Sequence, residues 1–204
     1  MKILLTGFEP YGAVPVNPSE QIVRRIAARA RSRGDADLFS EVLPTEFRAA
    51  GRRIRQLIRA VRPAAVLCLG VAPSRDKISL ERVALNLDDD PLPDNAGRAR
   101  LGRPIVRDGP VAYWSTLPLA RLRKALDRQG IPASISNHAG AFVCNHVFYV
   151  ARHEIERMRN RTRCGFIHVP PLYERGKNTK VRGMTLSKMV KAVECCLAVL
   201  RKGA

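Results

Sequence analysis

The sequence predicts an α/β fold with a mostly parallel sheet, and three observations support that class. Short apolar runs of strand length alternate with segments whose apolar residues recur at helical spacing, which is the pattern of βαβ units. The chain has 204 residues, a length that suits one domain with a well-buried core. Apolar residues make up 46% and charged residues 26%, a balance that excludes intrinsic disorder over most of the chain. We therefore expect residues 1–204 to form a single domain.

The first half of the chain predicts strands and helices in alternation. The predicted strands are residues 3–6, 38–43 and 65–69, and the predicted helices are residues 18–33 and 50–61. The first helix has the clearest start, because Asn17 can cap it, Pro18 suits the first helical position and Glu20 places an acid in the first turn. Gly34 follows the last helical residue and ends the helix.

The second half continues the alternation after one long excursion. The predicted strands are residues 80–87, 133–136 and 165–169, and the predicted helices are residues 117–128, a segment from near Cys144 to Met158, and residues 186–200. Residues 88–110 are rich in Asp, Pro and Gly, which indicates a long connection that could hold a hairpin. Residues 170–183 read as a polar loop.

The net charge of +18 leaves two interpretations open. The densest arginine groups coincide with amphipathic helical segments, so solvated helix faces account for the charge. A basic nucleic-acid-binding protein is the alternative, because such an excess can also mark a phosphate-binding surface. Neither zinc-finger spacing nor a basic strand with interleaved aromatic residues is present, so we do not expect nucleic acid as a partner.

The sequence gives no indication of a membrane or secreted protein. No apolar run approaches the roughly 18 residues that span a bilayer, and the opening run from Ile3 to Leu5 is too short for a signal peptide. The five cysteines are an odd number and contain no CxxC pair, which is typical of a reducing compartment and argues against a structural zinc site. We expect a cytoplasmic protein that contacts no membrane.

Three residues could carry chemistry, and each also has a structural interpretation. Cys144 stands where a loop turns into a helix, so the helix dipole would favour a thiolate and main-chain N–H groups could bind an oxyanion, although most free cysteines are buried apolar residues. His168 ends an apolar strand, where it could be a base or a hydrogen-bonded core residue. Glu81 lies in a strand that otherwise looks buried and needs a partner, which could be a histidine, Arg75 or Arg82.

Together these residues form a more coherent hypothesis than apart. A cysteine nucleophile needs a base, and the base needs a group that orients it, so Cys144, His168 and Glu81 match the logic of a catalytic triad. The other histidines are weaker candidates. A metal site would lack a convincing second ligand pair, and glycine-rich phosphate loops are absent.

Several segments resemble the pyroglutamyl peptidase I family of cysteine peptidases, in the same order along nearly the whole chain. They are LLTGFEPYG, NPS, ISLERVALNL, PDN, SNHAGAFVCNH and GFIHVPPLYE. The resemblance implies a single three-layer α/β/α domain around a twisted, mostly parallel mixed sheet, assembled as a homo-oligomer, a tetramer or dimer. It also implies removal of N-terminal pyroglutamyl residues from peptides, with Cys144 as nucleophile, His168 as base, Glu81 as third member, and no metal or cofactor.

The resemblance further implies a lactam-binding pocket. Its aromatic side chains fall on Phe8, Tyr11 and Phe142, and further pocket positions fall on Asn17, Thr45 and Val143. The chain departs from the family pattern where Tyr11 replaces Phe, Ala13 replaces Gly, Val71 replaces Gln and Pro91 replaces Arg. These departures leave open a relative that hydrolyses another N-acyl or lactam amide, beside the nucleic-acid-binding protein on the same scaffold.

Overall fold

The computed structural model describes residues 1–12, 15–173 and 183–202. The described strands are β1 Ile3–Phe8, β2 Leu38–Leu43, β3 Ala65–Val71, β4 Ile78–Leu85, β5 Asp88–Asp90, β6 Arg100–Arg103, β7 Ala112–Trp114, β8 Ala133–His138 and β9 Arg163–Val169. The helices are α1 Pro18–Ser32, α2 Phe47–Val61, α3 Leu119–Arg128, α4 Val143–Arg157 and α5 Leu186–Arg201. No helix among these residues has the length and apolarity that a membrane span requires.

The central sheet has seven strands in the order β2-β1-β3-β9-β4-β7, and β8 also pairs with β4. β2, β1, β3 and β9 run parallel, and β8 is parallel to β4. β4 is antiparallel to both β9 and β7. The predicted mostly parallel mixed sheet is therefore confirmed, and its antiparallel junction lies between β9 and β4.

Helices cover both faces of the sheet, because successive side chains of a strand point to opposite faces. Leu67 of β3 and Ile167 of β9 belong to an apolar cluster that also contains residues of α1, α3 and α5. Their chain neighbours Cys68 and Phe166 belong to a second cluster with α2 and α4. The three-layer α/β/α arrangement is thus confirmed.

Most predicted boundaries agree with the structure within a few residues, and the differences have local causes. The strand predicted at residues 80–87 is displaced to Ile78–Leu85, because Asn86 turns its amide side chain to main-chain groups of Val106 and Gly109. The excursion contains the antiparallel hairpin β5–β6 and is followed by β7, a three-residue strand that was not predicted. Most of the predicted loop at residues 170–183, and Ala13, lie outside the described residues.

A buried acid makes the stability of the fold sensitive to pH. Glu154 of α4 is only 3% exposed and accepts hydrogen bonds from the Arg59 guanidinium of α2 at 2.7 and 3.1 Å. The hydrogen bond from Arg59 lowers the pKa of Glu154. The ionised Glu154 therefore stabilises the folded state fully above the pKa of an unfolded glutamate, about 4.3. This contribution is lost as the pH falls through the lower pKa that Glu154 has in the folded state.

Replacing Glu154 by glutamine is expected to lower the midpoint of thermal unfolding at pH 7 by a few degrees, because the charged hydrogen bonds to Arg59 are lost. At pH 3 the difference from the wild type should shrink, since part of the wild-type pairing is lost there too. Calorimetry at both pH values checks this, with Asp127→Asn as a control in the exposed pair with Arg123. An equal deficit at both pH values would contradict the assignment.

Candidate active site

The predicted nucleophile and the predicted base share one cavity at the carboxyl ends of the parallel strands, which is where open α/β sheets bind ligands. Its volume is about 300 Å³, and Cys144 and His168 both line it. Phe8, Tyr11, Asn17, Thr45 and Phe142 also line it. Three larger clefts on the described surface, of about 460 to 530 Å³, contain none of the predicted site residues.

The antiparallel pairing of β4 with β9 brings Glu81 to His168. Ser79 lies opposite His168, and Glu81 lies opposite Phe166. His168 and Glu81 are therefore diagonal neighbours on one face of the sheet, close enough for long side chains to meet. His168 Nδ1 is 2.8 Å from Glu81 Oε1. Because a carboxylate can only accept, Nδ1 carries the hydrogen, and Nε2 holds the lone pair of the neutral ring.

Glu81 is fully buried and has two partners on a single oxygen. Besides His168 Nδ1, the Arg75 guanidinium donates to Oε1 from Nη1 at 2.5 Å. The second oxygen, Oε2, has no hydrogen-bond partner within the described part of the chain. Both partner types foreseen for Glu81 are thus present together, whereas Arg82 donates to Asn137 Oδ1 instead.

Cys144 is the second residue of α4, and its sulfur lies over a glycine of the sheet. A Cβ atom built on Gly70 would be 2.7 Å from Cys144 Sγ. Gly70 pairs with His168 across β3 and β9, so the sulfur stands above the strand pair that carries the imidazole. Cys144 is partly exposed to the cavity, whereas Cys68, Cys164 and Cys196 are buried.

The surroundings of Cys144 keep its sulfur protonated in the free protein. Burial raises the pKa of the Cys144 thiol to about 12, and the Glu81 carboxylate adds to the rise. Arg75 and the main-chain N–H of Cys144 itself act in the opposite direction but do not outweigh burial. The thiolate expected from the helix dipole is therefore not the resting form, and a base must take the proton during reaction.

Aromatic rings form one wall of the cavity. The ring centroids of Tyr11 and Phe142 are 6.0 Å apart, and Phe47 packs edge-on against Phe142 at 5.4 Å. Phe8 is 1% exposed and packs 6.4 Å from Phe166. Burial is the main cause that raises the pKa of Tyr11, so its hydroxyl is neutral near pH 7. This wall offers flat apolar faces with one hydroxyl group.

Asn17 and Thr45 hold the chain segment that carries Tyr11. Asn17 Oδ1 accepts from the main-chain N–H and the hydroxyl of Ser19, and its Nδ2 donates to the Glu9 carbonyl at 3.0 Å. The Thr45 hydroxyl donates to the same carbonyl at 2.9 Å, and its main-chain N–H donates to Glu9 Oε1. Both side chains line the cavity, but their hydrogen bonds are made to the protein.

Val143 does not line the cavity, because its side chain is fully buried among the residues of the α2–α4 layer. The lining residues that were not proposed from the sequence as parts of the site include Arg75, Asp90 and Leu92. The sequence did indicate Arg75 as a partner of Glu81, because a buried acid needs a partner and Arg75 is six residues away. Of the two positions where Val71 replaces Gln and Pro91 replaces Arg, Val71 lines the cavity and Pro91 does not.

Two of the other three histidines have partners outside the cavity. His146 Nδ1 contacts the buried Asp88 carboxylate at 3.0 Å. His153 Nδ1 shares a hydrogen bond with the Tyr113 hydroxyl at 2.8 Å, and burial lowers the pKa of His153. Neither lines the cavity.

Comparisons with known proteins show the family of the chain. The profile of the family described as pyroglutamyl peptidase matches residues 1–202. A pyrrolidone-carboxylate peptidase of Oceanobacillus iheyensis is 40% identical over 199 residues, covering 98% of each chain, and one of Bacillus mycoides is 38% identical over 97% of this chain and 91% of its own.

Solved structures give the same result. The crystal structure of pyroglutamyl peptidase I from Bacillus amyloliquefaciens superposes with a TM-score of 0.90 at 40% identity, covering 98% of this chain and 93% of that chain. Pyrrolidone carboxyl peptidase from Pyrococcus furiosus gives a TM-score of 0.91 at 36% identity, covering 100% of this chain and 99% of that chain. The chain therefore belongs to the pyroglutamyl peptidase family.

Proposed function

We propose that this chain is a cysteine peptidase that removes N-terminal pyroglutamyl residues from peptides, with Cys144 as nucleophile, His168 as base and Glu81 as the group that orients the base. One observation carries the proposal: Cys144 and His168 line the same small cavity, and His168 Nδ1 is held by the buried Glu81 carboxylate at 2.8 Å. This arrangement leaves the imidazole Nε2 as the atom able to accept the thiol proton.

The first half of the reaction forms a thioester. The Cys144 sulfur attacks the carbonyl carbon of the pyroglutamyl residue while its proton passes to His168 Nε2. The resulting imidazolium is stabilised by the Glu81 carboxylate. The C–N bond then breaks, and the leaving amine takes the proton from Nε2. Because burial favours the protonated thiol, proton transfer accompanies attack rather than preceding it.

The second half hydrolyses the thioester and restores the enzyme. Water enters the position of the departed peptide, gives one proton to His168 Nε2 and forms a C–O bond to the acyl carbon. The C–S bond breaks, the sulfur regains the proton, and free pyroglutamate leaves. Every proton is carried by this chain's own imidazole and sulfur, so the sequence of steps requires neither a metal nor an organic cofactor.

The start of α4 supports the charge that develops on the attacked carbonyl oxygen. Phe142 is the N-cap residue, and its side chain makes no capping hydrogen bond. The first main-chain N–H groups of a helix have no partner within the helix, so those of Val143 and Cys144 are suited to an oxyanion. The proposed part of Val143 therefore belongs to its main chain.

The aromatic wall suits a flat, neutral lactam ring. Phe8, Tyr11 and Phe142 offer apolar faces, and Asn17 and Thr45 keep the Tyr11 segment in place. A pocket that pairs the lactam N–H and C=O discriminates against a proline ring, because each unmet buried polar group costs about 1–3 kcal/mol. A carbonyl-bearing lactam is thus the expected substrate end, in peptides that begin with pyroglutamate.

Replacing Cys144 by alanine is expected to lower turnover of a pyroglutamyl fluorogenic amide by roughly three orders of magnitude or more, because the alanine side chain has no nucleophilic atom. Cys195→Ser is the matched control, since Cys195 lies on α5 outside the cavity. The same assay includes prolyl and glutaminyl amides. Wild-type turnover of those amides but not of the pyroglutamyl amide, or retained turnover in the alanine variant, would contradict the proposal.

We further propose that residues 1–204 form one domain that acts in the cytoplasm as a homo-oligomer, a dimer or tetramer. The exposed apolar side chains at and beside β7 support self-association, with Trp114 66% and Val111 85% exposed. Surface apolar groups of this size are favourable in contacts between subunits.

A further inference from the structure

We infer that Arg75 is a positioning residue that shares the Glu81 carboxylate with His168 and thereby sets the proton balance between Cys144 and His168. The inference rests on the proposed function, because it concerns the same cavity. Arg75 itself is not a member of the proposed triad.

The first observation is that both partners of Glu81 donate to the same carboxylate oxygen. Arg75 Nη1 and His168 Nδ1 lie 2.5 and 2.8 Å from Glu81 Oε1, while Oε2 has no partner within the described residues. A carboxylate has about four acceptor positions on two oxygens, so the two donors compete for the same charge. The guanidinium therefore weakens the pull of the carboxylate on the imidazole proton.

The second observation is that Arg75 is built into the cavity wall. It belongs to the connection between β3 and β4, its main-chain N–H donates to the Ala72 carbonyl, and its Nη2 lies 3.4 Å from the His138 carbonyl. Its side chain is 30% exposed and lines the cavity together with Cys144 and His168. Arg82 lies beyond the cavity and pairs with Asn137, which makes it a matched control for loss of one arginine.

The third observation is the sign of the charge. Among the groups that act on Cys144, Arg75 lowers the pKa of the thiol, whereas Glu81 and Cys68 raise it. The other ionisable groups facing this part of the cavity are Tyr11 and Asp90, and both are neutral or negative. Arg75 is thus the cation of this cavity among the described residues, and its loss favours the protonated forms of both the thiol and the imidazole.

The pH profile of kcat/KM separates this role from a merely structural one. A mechanism that needs a neutral imidazole to accept the proton and a thiol that still carries it gives a bell-shaped profile, in which the imidazole sets the acid limb and the thiol sets the alkaline limb. In Arg75→Gln both limbs are expected to move to higher pH, by about 0.5–1 unit because the guanidinium is close but partly solvated. Arg75→Lys should restore most of the wild-type position, and Arg82→Gln should leave it unchanged.

The experiment measures pyroglutamyl amide turnover against pH for the wild type, Arg75→Gln, Arg75→Met, Arg75→Lys and Arg82→Gln. Alkylation of Cys144 by iodoacetamide, followed by mass spectrometry over the same pH range, reports the thiol without any turnover. A shift to higher pH in both neutral variants, reversed by lysine, supports the inference. If the limbs of the kcat/KM profile and the alkylation curves of both neutral variants coincide with those of the wild type, the inference is wrong. Because alkylation does not depend on the substrate, failure of the proposed peptidase activity is recognised separately.

Discussion

Replacing Glu81 by glutamine is expected to lower kcat/KM for a pyroglutamyl amide by about three to four orders of magnitude while the protein stays folded. The glutamine side chain has nearly the same shape, but its amide can present an N–H group to His168 Nδ1. The imidazole then loses the partner that fixes its tautomer, and Nε2 carries the hydrogen instead of the lone pair. The imidazolium formed during attack also loses its neighbouring negative charge.

The measurement combines steady-state kinetics with circular dichroism and thermal unfolding. Glu194→Gln is the control, because Glu194 lies on α5 and forms a partly exposed pair with Arg29 at 2.9 Å. Some loss of stability is expected in Glu81→Gln, since the Arg75 guanidinium loses its charged partner. A folded Glu81→Gln variant with wild-type kcat/KM would exclude Glu81 from the reaction.

Local patterns in the sequence predict most of the helices and strands because they carry local causes. The α1 start is an example: Asn17 accepts from the Ser19 N–H as a capping residue does, and Pro18 is the first helical residue. The strand β7 was missed because Ala112–Trp114 has only three residues and no buried side chain. Its place is decided by pairing with β4, which is a tertiary effect.

The chemical types in the site could be predicted, but their arrangement could not. A cysteine at a helix start, a histidine at a strand end and a buried glutamate each suggest chemistry by residue type and position. Their convergence depends on the β4–β9 register, in which Ser79 pairs with His168 and Glu81 with Phe166. No short-range pattern encodes a pairing between residues that are 87 positions apart.

The protonation state of Cys144 also could not be predicted from the sequence. Its position at the start of α4 predicts a thiolate, because the helix dipole favours negative charge there. In the structure burial is the largest cause that acts on the thiol, and it raises the pKa of Cys144 to about 12. The groups that act on the sulfur include Glu81 of β4, Cys68 of β3 and Arg75, which only the folded chain brings to it.

Gly70→Ala is expected to lower kcat/KM by about a hundredfold, because a displacement of the nucleophile by about 1 Å can have an effect of that size. The new Cβ would lie 2.7 Å from Cys144 Sγ and 2.8 Å from the Phe166 ring. Neither neighbour can yield freely, because Cys144 is fixed at the helix start and Phe166 packs between Phe8 and Phe148. The sulfur must therefore move away from the strand that pairs with His168.

Gly165→Ala separates this displacement from simple overpacking. Gly165 lies on β9, and its Cβ would meet Leu117 and Ser115 at 2.6 Å on the opposite face of the sheet. Overpacking costs about 1–3 kcal/mol, so both variants should unfold at lower temperature than the wild type. Only Gly70→Ala should show a lower kcat/KM when activity is expressed per folded molecule. If the two variants lose activity equally, the sulfur of Cys144 does not depend on the space above Gly70, and its proposed attack from that position is wrong.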